Sequence, residues 1–194
     1  MPMGGRVSDM VGAAGFLFET GLLKLSKRTG WWIAGIKDPE SVAEHSFRTA
    51  IAGMMIASME GADPTRTAML CLLHDVPEAR IGDIPHVGRR YLTAVAAEDI
   101  AADQTAECPE PMAAAIRDAI AEFEAGRTRE AVCAKDADKL ECLVQAVEYR
   151  HGGADTVGPW IENSLAALTT DTARAIARAA LDGNPLDWQQ TRRA

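Results

Sequence analysis

The chain has 194 residues, 47% of them hydrophobic, and a formal net charge of −8. That length suits one domain with a substantial core, and the acidic balance argues against a nucleic-acid polymer as partner, because a phosphate backbone demands a basic face. No apolar run approaches the ~20 residues of a membrane span, and the short apolar stretch 11–18 lacks the basic flank and cleavage pattern of a secretory signal, so a soluble cytoplasmic protein is expected.

Apolar residues recur with a helical period nearly throughout. The pattern predicts a first amphipathic helix over 10–26, then a loop over 27–39 carrying Gly30, Trp31 and Trp32. Ser41, with Glu44 three residues on, makes a capping box that opens a helix towards Met59. Along it Val42, Phe47, Ile51, Met54 and Met55 define the expected inward face around His45. Asp63 and Pro64 place an N-cap before a proline at the first helical position, and that helix runs to about Asp75. Pro77 and Gly82 interrupt regular structure, with a turn at 83–85. A helix over 89–107 follows, Pro109 and Pro111 separate it from another ending near Gly126, and Thr128 caps a long helix to Arg150, closed by Gly152 and Gly153. Shorter helices over 159–168 and 170–181 complete an all-α single domain, 1–183, and leave 184–194 as a polar, loosely attached tail. The four cysteines form no C-x-x-C pair and read as reduced, mostly buried thiols.

Chemistry concentrates on His45, His74, Asp75 and Asp138. Two neutral imidazoles and two carboxylates suit a divalent first-row metal, and such an ion can activate water or polarise a phosphoryl oxygen. Asp138 falls mid-helix among Val132, Leu140, Leu143, Val144 and Val147, where an unpaired carboxylate is costly and a cation is its natural partner. Glu78 follows His74 by four residues and Asp75 by three, so near-helical backbone through Pro77 would return it to the same side. Asp83 arrives through the Gly82 turn. Arg28 offers forked donors that match phosphoryl oxygens, and His86 lies just past the turn, within reach of a substrate.

The pattern H…HD…D resembles the HD-domain metal-dependent phosphohydrolases, and more finely their small 5′-deoxynucleotidase branch. The resemblance rests on K-R-T-G-W at 27–31, P-E-S-V-A-E-H at 39–45, H-D-x-x-E-x-x-x-G-D-I-P at 74–85 and K-D-A-D-K-L-E at 135–141. It implies an all-helical HD-domain bundle, a divalent metal held by His45, His74, Asp75 and Asp138, hydrolysis of nucleoside 5′-monophosphates, and a homodimer. One ion is expected, since binuclear relatives use extra histidines between the HD pair and the last aspartate, and this chain has only His86 there. The resemblance favours cobalt or manganese, with zinc, iron, nickel or magnesium as alternatives. It makes Glu78 the main acid/base or water-positioning group and Asp83 the second, Arg28 the phosphate ligand and Trp31 a wall for sugar or base; His86 is a further candidate substrate contact from its place after the turn alone.

From His86 to Tyr91 the chain departs from the bacterial housekeeping enzymes, so a modified nucleoside monophosphate of a specialised biosynthetic pathway is an alternative substrate. Two other readings compete. Pyrophosphohydrolases of the guanosine tetraphosphate type share H-D-x-x-E but normally carry aspartate where this chain has Ala79. A non-catalytic nucleotide-binding module would need neither Glu78 nor Asp83.

Overall fold

Local capping chemistry sets the helix boundaries in the computed structural model, which describes residues 10–93 and 95–189. Helix α1 (Val11–Thr20) passes into a 3-10 turn, Gly21–Lys24, and α2 (Gly30–Ile33) is one turn inside the loop that follows. Helix α3 (Val42–Glu60) opens on the expected box: the Glu44 N–H donates to Ser41 Oγ at 3.1 Å and the Ser41 N–H to Glu44 Oε2 at 2.6 Å. It closes on Gly61, whose φ of +69° lies in the left-handed region that favours glycine. Asp63 caps α4 (Pro64–Leu73) by accepting from the Thr65 and Arg66 N–H groups. The short α5 (Glu78–Ile81) and α6 (His86–Arg89) lead to α7 (Ala97–Gln104) and α8 (Glu110–Ala125). Thr128 caps α9 (Arg129–His151), and α10 (Gly158–Ala167) and α11 (Asp171–Asp182) follow. The fold is all-α, with one isolated antiparallel bridge between Lys27 and Ser41 among the described residues. No described helix is long and apolar enough to cross a membrane.

Helix α9 is the axis of the molecule and packs against α3, α4, α8, α10 and α11. Where α3 and α4 meet it, the buried side chains are small: Ser46, Thr49, Gly53 and Ala57 on α3, Thr67 and Cys71 on α4, Ala134 and Ala137 on α9. A β-carbon on Gly53 would lie 2.5 Å from Cys71 Sγ and 3.1 Å from Thr67 Cγ2, so glycine permits the close crossing. On α9, the buried carboxylate of Asp136 accepts from the Thr169 and Thr170 N–H groups at 3.0 and 2.7 Å. Both threonine hydroxyls donate to it as well, which pins the start of α11 to α9.

The expected inward face of α3 is corrected. Of its five residues only Val42 is buried; Phe47, Ile51, Met54 and Met55 are 64%, 41%, 45% and 50% exposed and form a solvent-facing stripe with Met59. The helix carries two candidate stripes, and the close approach of α4 and α9 selects the one with small side chains. The helix expected over 89–107 contracts to α7, because Tyr91, Leu92 and Val95 are exposed and bury nothing that would stabilise a helical turn. The first helix breaks at Thr20, and α4 ends at Leu73. Of the polar tail, Asp187–Gln189 forms a 3-10 turn; residues 190–194, like 1–9, lie outside the described residues.

Replacing Gly53 with valine should lower stability by about 1–3 kcal/mol through overpacking at the α3–α4–α9 crossing. Chemical denaturation measures this, and an unchanged midpoint would show that the crossing has slack.

Candidate metal centre and catalytic site

Three helices deliver the principal donors to one point. His45 comes from the second turn of α3, His74 from the end of α4 and Asp138 from the middle of α9. One ligand atom from each lies within 4.8 Å of the others. His45 Nε2 is 3.3 Å from Asp138 Oδ1, and Asp75 Oδ2 is 3.1 Å from His74 Nε2 and 3.7 Å from His45 Nε2. All four residues named from the sequence therefore converge.

The imidazoles are oriented for this. His74 Nδ1 is 2.6 Å from the Cys71 carbonyl oxygen, so it carries the proton and leaves Nε2 as an acceptor. His45 Nδ1 meets Glu141 Oε2 at 2.5 Å, which likewise directs Nε2 towards Asp138. Both Nε2 atoms are buried without a hydrogen-bond partner. Burial and the Arg28 charge oppose protonation of His45, yet Asp138 and Glu141 on its two sides raise its pKa to about 10. Asp138 itself is held far below the usual carboxylate range: burial opposes this, but His45, Lys139 and His74 outweigh it. Two buried, unpartnered imidazole nitrogens facing carboxylate oxygens suit a divalent cation, and the mixed N/O donor set fits a first-row metal.

The turn after α4 carries the acids. The Val76 N–H donates to Leu73 O and the Glu78 N–H to Asp75 O, so the chain stays nearly helical past Pro77. Glu78 is thereby kept beside Asp75, and its Oε2 is buried and unpartnered. Burial, reinforced by the charges of Asp75 and Asp83, pushes its carboxyl up to about 9. Gly82, at φ +74°, then turns the chain so that Asp83 faces the 27–41 loop. Asp83 Oδ2 accepts from both the N–H and the hydroxyl of Thr29, and its carbonyl accepts from the same hydroxyl at 2.8 Å.

Arg28 projects from that loop into the acids. Its Nη1 is 3.2 Å from Asp75 Oδ2 and 3.8 Å from Asp83 Oδ1, and its Nη2 is 4.0 Å from Asp138 Oδ1. Burial disfavours its charge, but Asp75, Asp138 and Asp83 more than compensate and raise its pKa. The loop is held by the Arg28 N–H donating to Glu40 O at 3.0 Å and the Val42 N–H to Ser26 O at 2.8 Å. Trp31 is 2% exposed, edge-on to Tyr149 and stacked on Trp160, and its Nε1–H donates to Glu40 Oε1 at 2.9 Å. Only its rim borders the cleft. Trp32 points to solvent. His86 is exposed at the mouth of the same cleft.

Sequence reasoning gave no role to the residues that brace this set. Glu141 is fully buried and accepts from Arg48 Nε and Nη2 at 3.0 and 2.8 Å as well as meeting His45. Arg48 continues to Glu148 at 2.8 Å and to Gln145 at 2.6 Å. Glu40 links Trp31 to Tyr149, whose hydroxyl accepts the Glu40 N–H. Glu141 lies three residues, nearly one helical turn, after Asp138, a spacing that places both on one side of α9 and could have flagged it.

A family model described as "HD domain" matches residues 20–180. A Dictyostelium discoideum protein named 5′-deoxynucleotidase HDDC2 is 34% identical over 142 residues, covering 66% of this chain and 73% of that one. The 5′-deoxynucleotidase hdd1 of Schizosaccharomyces pombe is 32% identical over 133 residues, covering 66% and 67%. Among solved structures, a conserved hypothetical protein from Pyrococcus furiosus superposes with a TM-score of 0.69 at 28% identity, covering 86% of this chain and 96% of that one.

Because Glu141 orients His45, Glu141→Gln should weaken divalent-ion binding by about 10–100-fold. Titration calorimetry of the purified variant with the ion reads this directly, and wild-type affinity would reduce Glu141 to a packing role.

Proposed function

The chain belongs to the HD domain family and is a phosphohydrolase, and from that premise we propose that it cleaves (deoxy)nucleoside 5′-monophosphates to nucleoside and orthophosphate. The observation that carries the reading is the meeting of two unpartnered imidazole nitrogens and two carboxylates beside a half-buried guanidinium. His45, His74, Asp75 and Asp138 would hold one divalent ion, with cobalt or manganese favoured. When bound, the ion supplies a Lewis acid to the phosphoryl oxygen and a lowered pKa to water.

The remaining work falls to the chain's own residues. Arg28 has donors beyond those its carboxylates use, and these can bind phosphoryl oxygens. Water attacks phosphorus and gives up a proton, the bond to O5′ breaks, and the leaving oxygen gains a proton. Glu78, buried and unpartnered beside Asp75, is placed to take the proton that water loses and to pass it to the leaving oxygen. Asp83 serves mainly by fixing Thr29, and with it the Arg28 loop. The rim of Trp31 and the exposed His86 flank the substrate's path. A modified nucleoside monophosphate remains the second substrate reading, favoured by the 86–91 departure.

A homodimer is part of the proposal, and the exposed stripe Phe47–Ile51–Met54–Met55–Met59 on α3 supports it. An apolar stripe of this length is unusual on a monomer's surface. Free thiols at Cys71, Cys108, Cys133 and Cys142 suit a cytoplasmic location.

Phosphate release from a panel of 5′- and 3′-monophosphates, with cobalt, manganese, magnesium or chelator, tests the activity. Metal-dependent release from 5′-esters is expected; pyrophosphate as product, or binding without turnover, would replace this reading. Asp138→Ala should lose both ion and activity. Glu78→Ala should keep the ion and lose about 10²–10⁴ in turnover, the usual contribution of a general acid; retained turnover removes Glu78 from the reaction.

A further inference from the structure

The cleft at Arg28 and Asp83 is small, about 150 Å³, and it does not end there. Gly30, Pro85, His86, Cys142 and Trp160 form one of its walls and also line a neighbouring cavity of about 530 Å³. That cavity is bounded further by Ile33 and Pro159 and, along α10, by Asn163, Ser164 and Ala167. Lys139 at its edge adjoins Asp138, and its Nζ is 2.8 Å from Asp138 Oδ2. The large cavity therefore begins one residue from the metal centre.

We propose that this cavity is the nucleobase subsite, that it selects purines, and that Asn163 is its specificity-determining residue. The proposal rests on the phosphomonoesterase reading and extends it to the substrate class. Besides a smaller space of about 270 Å³ that carries the carboxylates of Glu78 and Glu124, a phosphoryl group beside Arg28 leaves two neighbouring spaces for the rest of a nucleotide. One, about 490 Å³, is walled by His74, Asp75 and Asp138 and by the charged Glu124, Lys135 and Asp136. Putting a flat heterocycle there would desolvate charges without pairing them.

The other space is the cavity along α10. Its walls hold no carboxylate, and its one ammonium is already paired with Asp138. Trp160, half-buried and stacked on Trp31 with 27° between the rings, supplies a rigid aromatic wall. Ile33, Pro85 and Pro159 supply apolar contact. Such a site rewards the larger ring system, since a purine buries more surface than a pyrimidine. The Asn163 amide can donate and accept at once, which matches the adjacent donor and acceptor on a base edge.

Asn163 and Ala167 are exposed positions on α10, so replacing them should leave the fold intact. Titration of the manganese-loaded protein with the four deoxynucleosides reads the subsite without turnover. Wild type should bind deoxyadenosine and deoxyguanosine at least about fivefold more tightly than deoxycytidine and thymidine. Asn163→Ala should lose about fivefold in purine affinity, the worth of one hydrogen bond. Ala167→Phe, which fills the cavity, should abolish the preference. Equal affinity for all four nucleosides, or unchanged purine affinity in both variants, overturns the proposal.

In turnover, Asn163→Ala should lower kcat/KM about fivefold for dAMP and leave deoxyribose 5-phosphate unchanged. An equal loss on both substrates also counts against the subsite. If wild type releases phosphate from neither substrate while the purine preference in binding persists, the phosphomonoesterase reading fails and the subsite stands.

Discussion

Negative charge is buried in one cavity, and the fold has to neutralise it there. Asp75, Asp83, Asp138 and Glu78 crowd a space bounded by His45 and His74, and Glu141 lies directly behind. Carboxylates removed from water are costly unless they are paired and hydrogen-bonded. Each has been given a distinct solution. Asp83 is satisfied by Thr29, Asp75 by Arg28, Glu141 by His45 and Arg48, and Glu78 by holding its proton. Asp138 is paired with Lys139 and faces His45, and the His45 and His74 Nε2 atoms beside it have no hydrogen-bond partner, which suits the group to a cation.

That arrangement depends on packing at a distance from the chemistry. His45, His74 and Asp138 reach one point only because α3, α4 and α9 approach closely along small side chains, with Gly53 at the tightest contact. Ile56, Leu70 and Leu143 fill the core beside that crossing, but other large apolar residues of α3 do not. Phe47, Ile51, Met54 and Met55 face outwards from the same helix that presents His45 inwards. A helix that serves a close-packed site on one side and an apolar surface on the other shows little amphipathic contrast, which is why its orientation misleads a reading by hydrophobicity alone.

The loop 27–41 ties Arg28 to the candidate centre. Its bridge between Lys27 and Ser41 sits at the capping box of α3, so the segment that carries Arg28 is tied to the helix that carries His45. Asp83, delivered by Gly82, clasps the same loop from the other side through Thr29. Thus guanidinium, imidazole and acid are parts of one rigid assembly, the pre-organisation that phosphoryl transfer requires.

Much of this was legible in the chain itself. Caps at Ser41, Asp63 and Thr128 are local chemistry, so the starts of their helices could be read residue by residue. His45, His74, Asp75 and Asp138 stood out as candidates because their types suit a metal and nothing in an apolar helix needs them, and the structure brings the four together. Tertiary structure alone decided which stripe of α3 turned inwards and how far α7 extended, since both follow from what each segment can bury. It alone enlisted Glu141 and Arg48, joined to α3 and α9 across more than ninety residues of sequence, and it alone placed Trp31 in the core and Trp32 in water. Capping acts over three or four residues and is written in order along the chain. Burial and long-range pairing depend on which surfaces meet, and that is settled only when the helices close on one another.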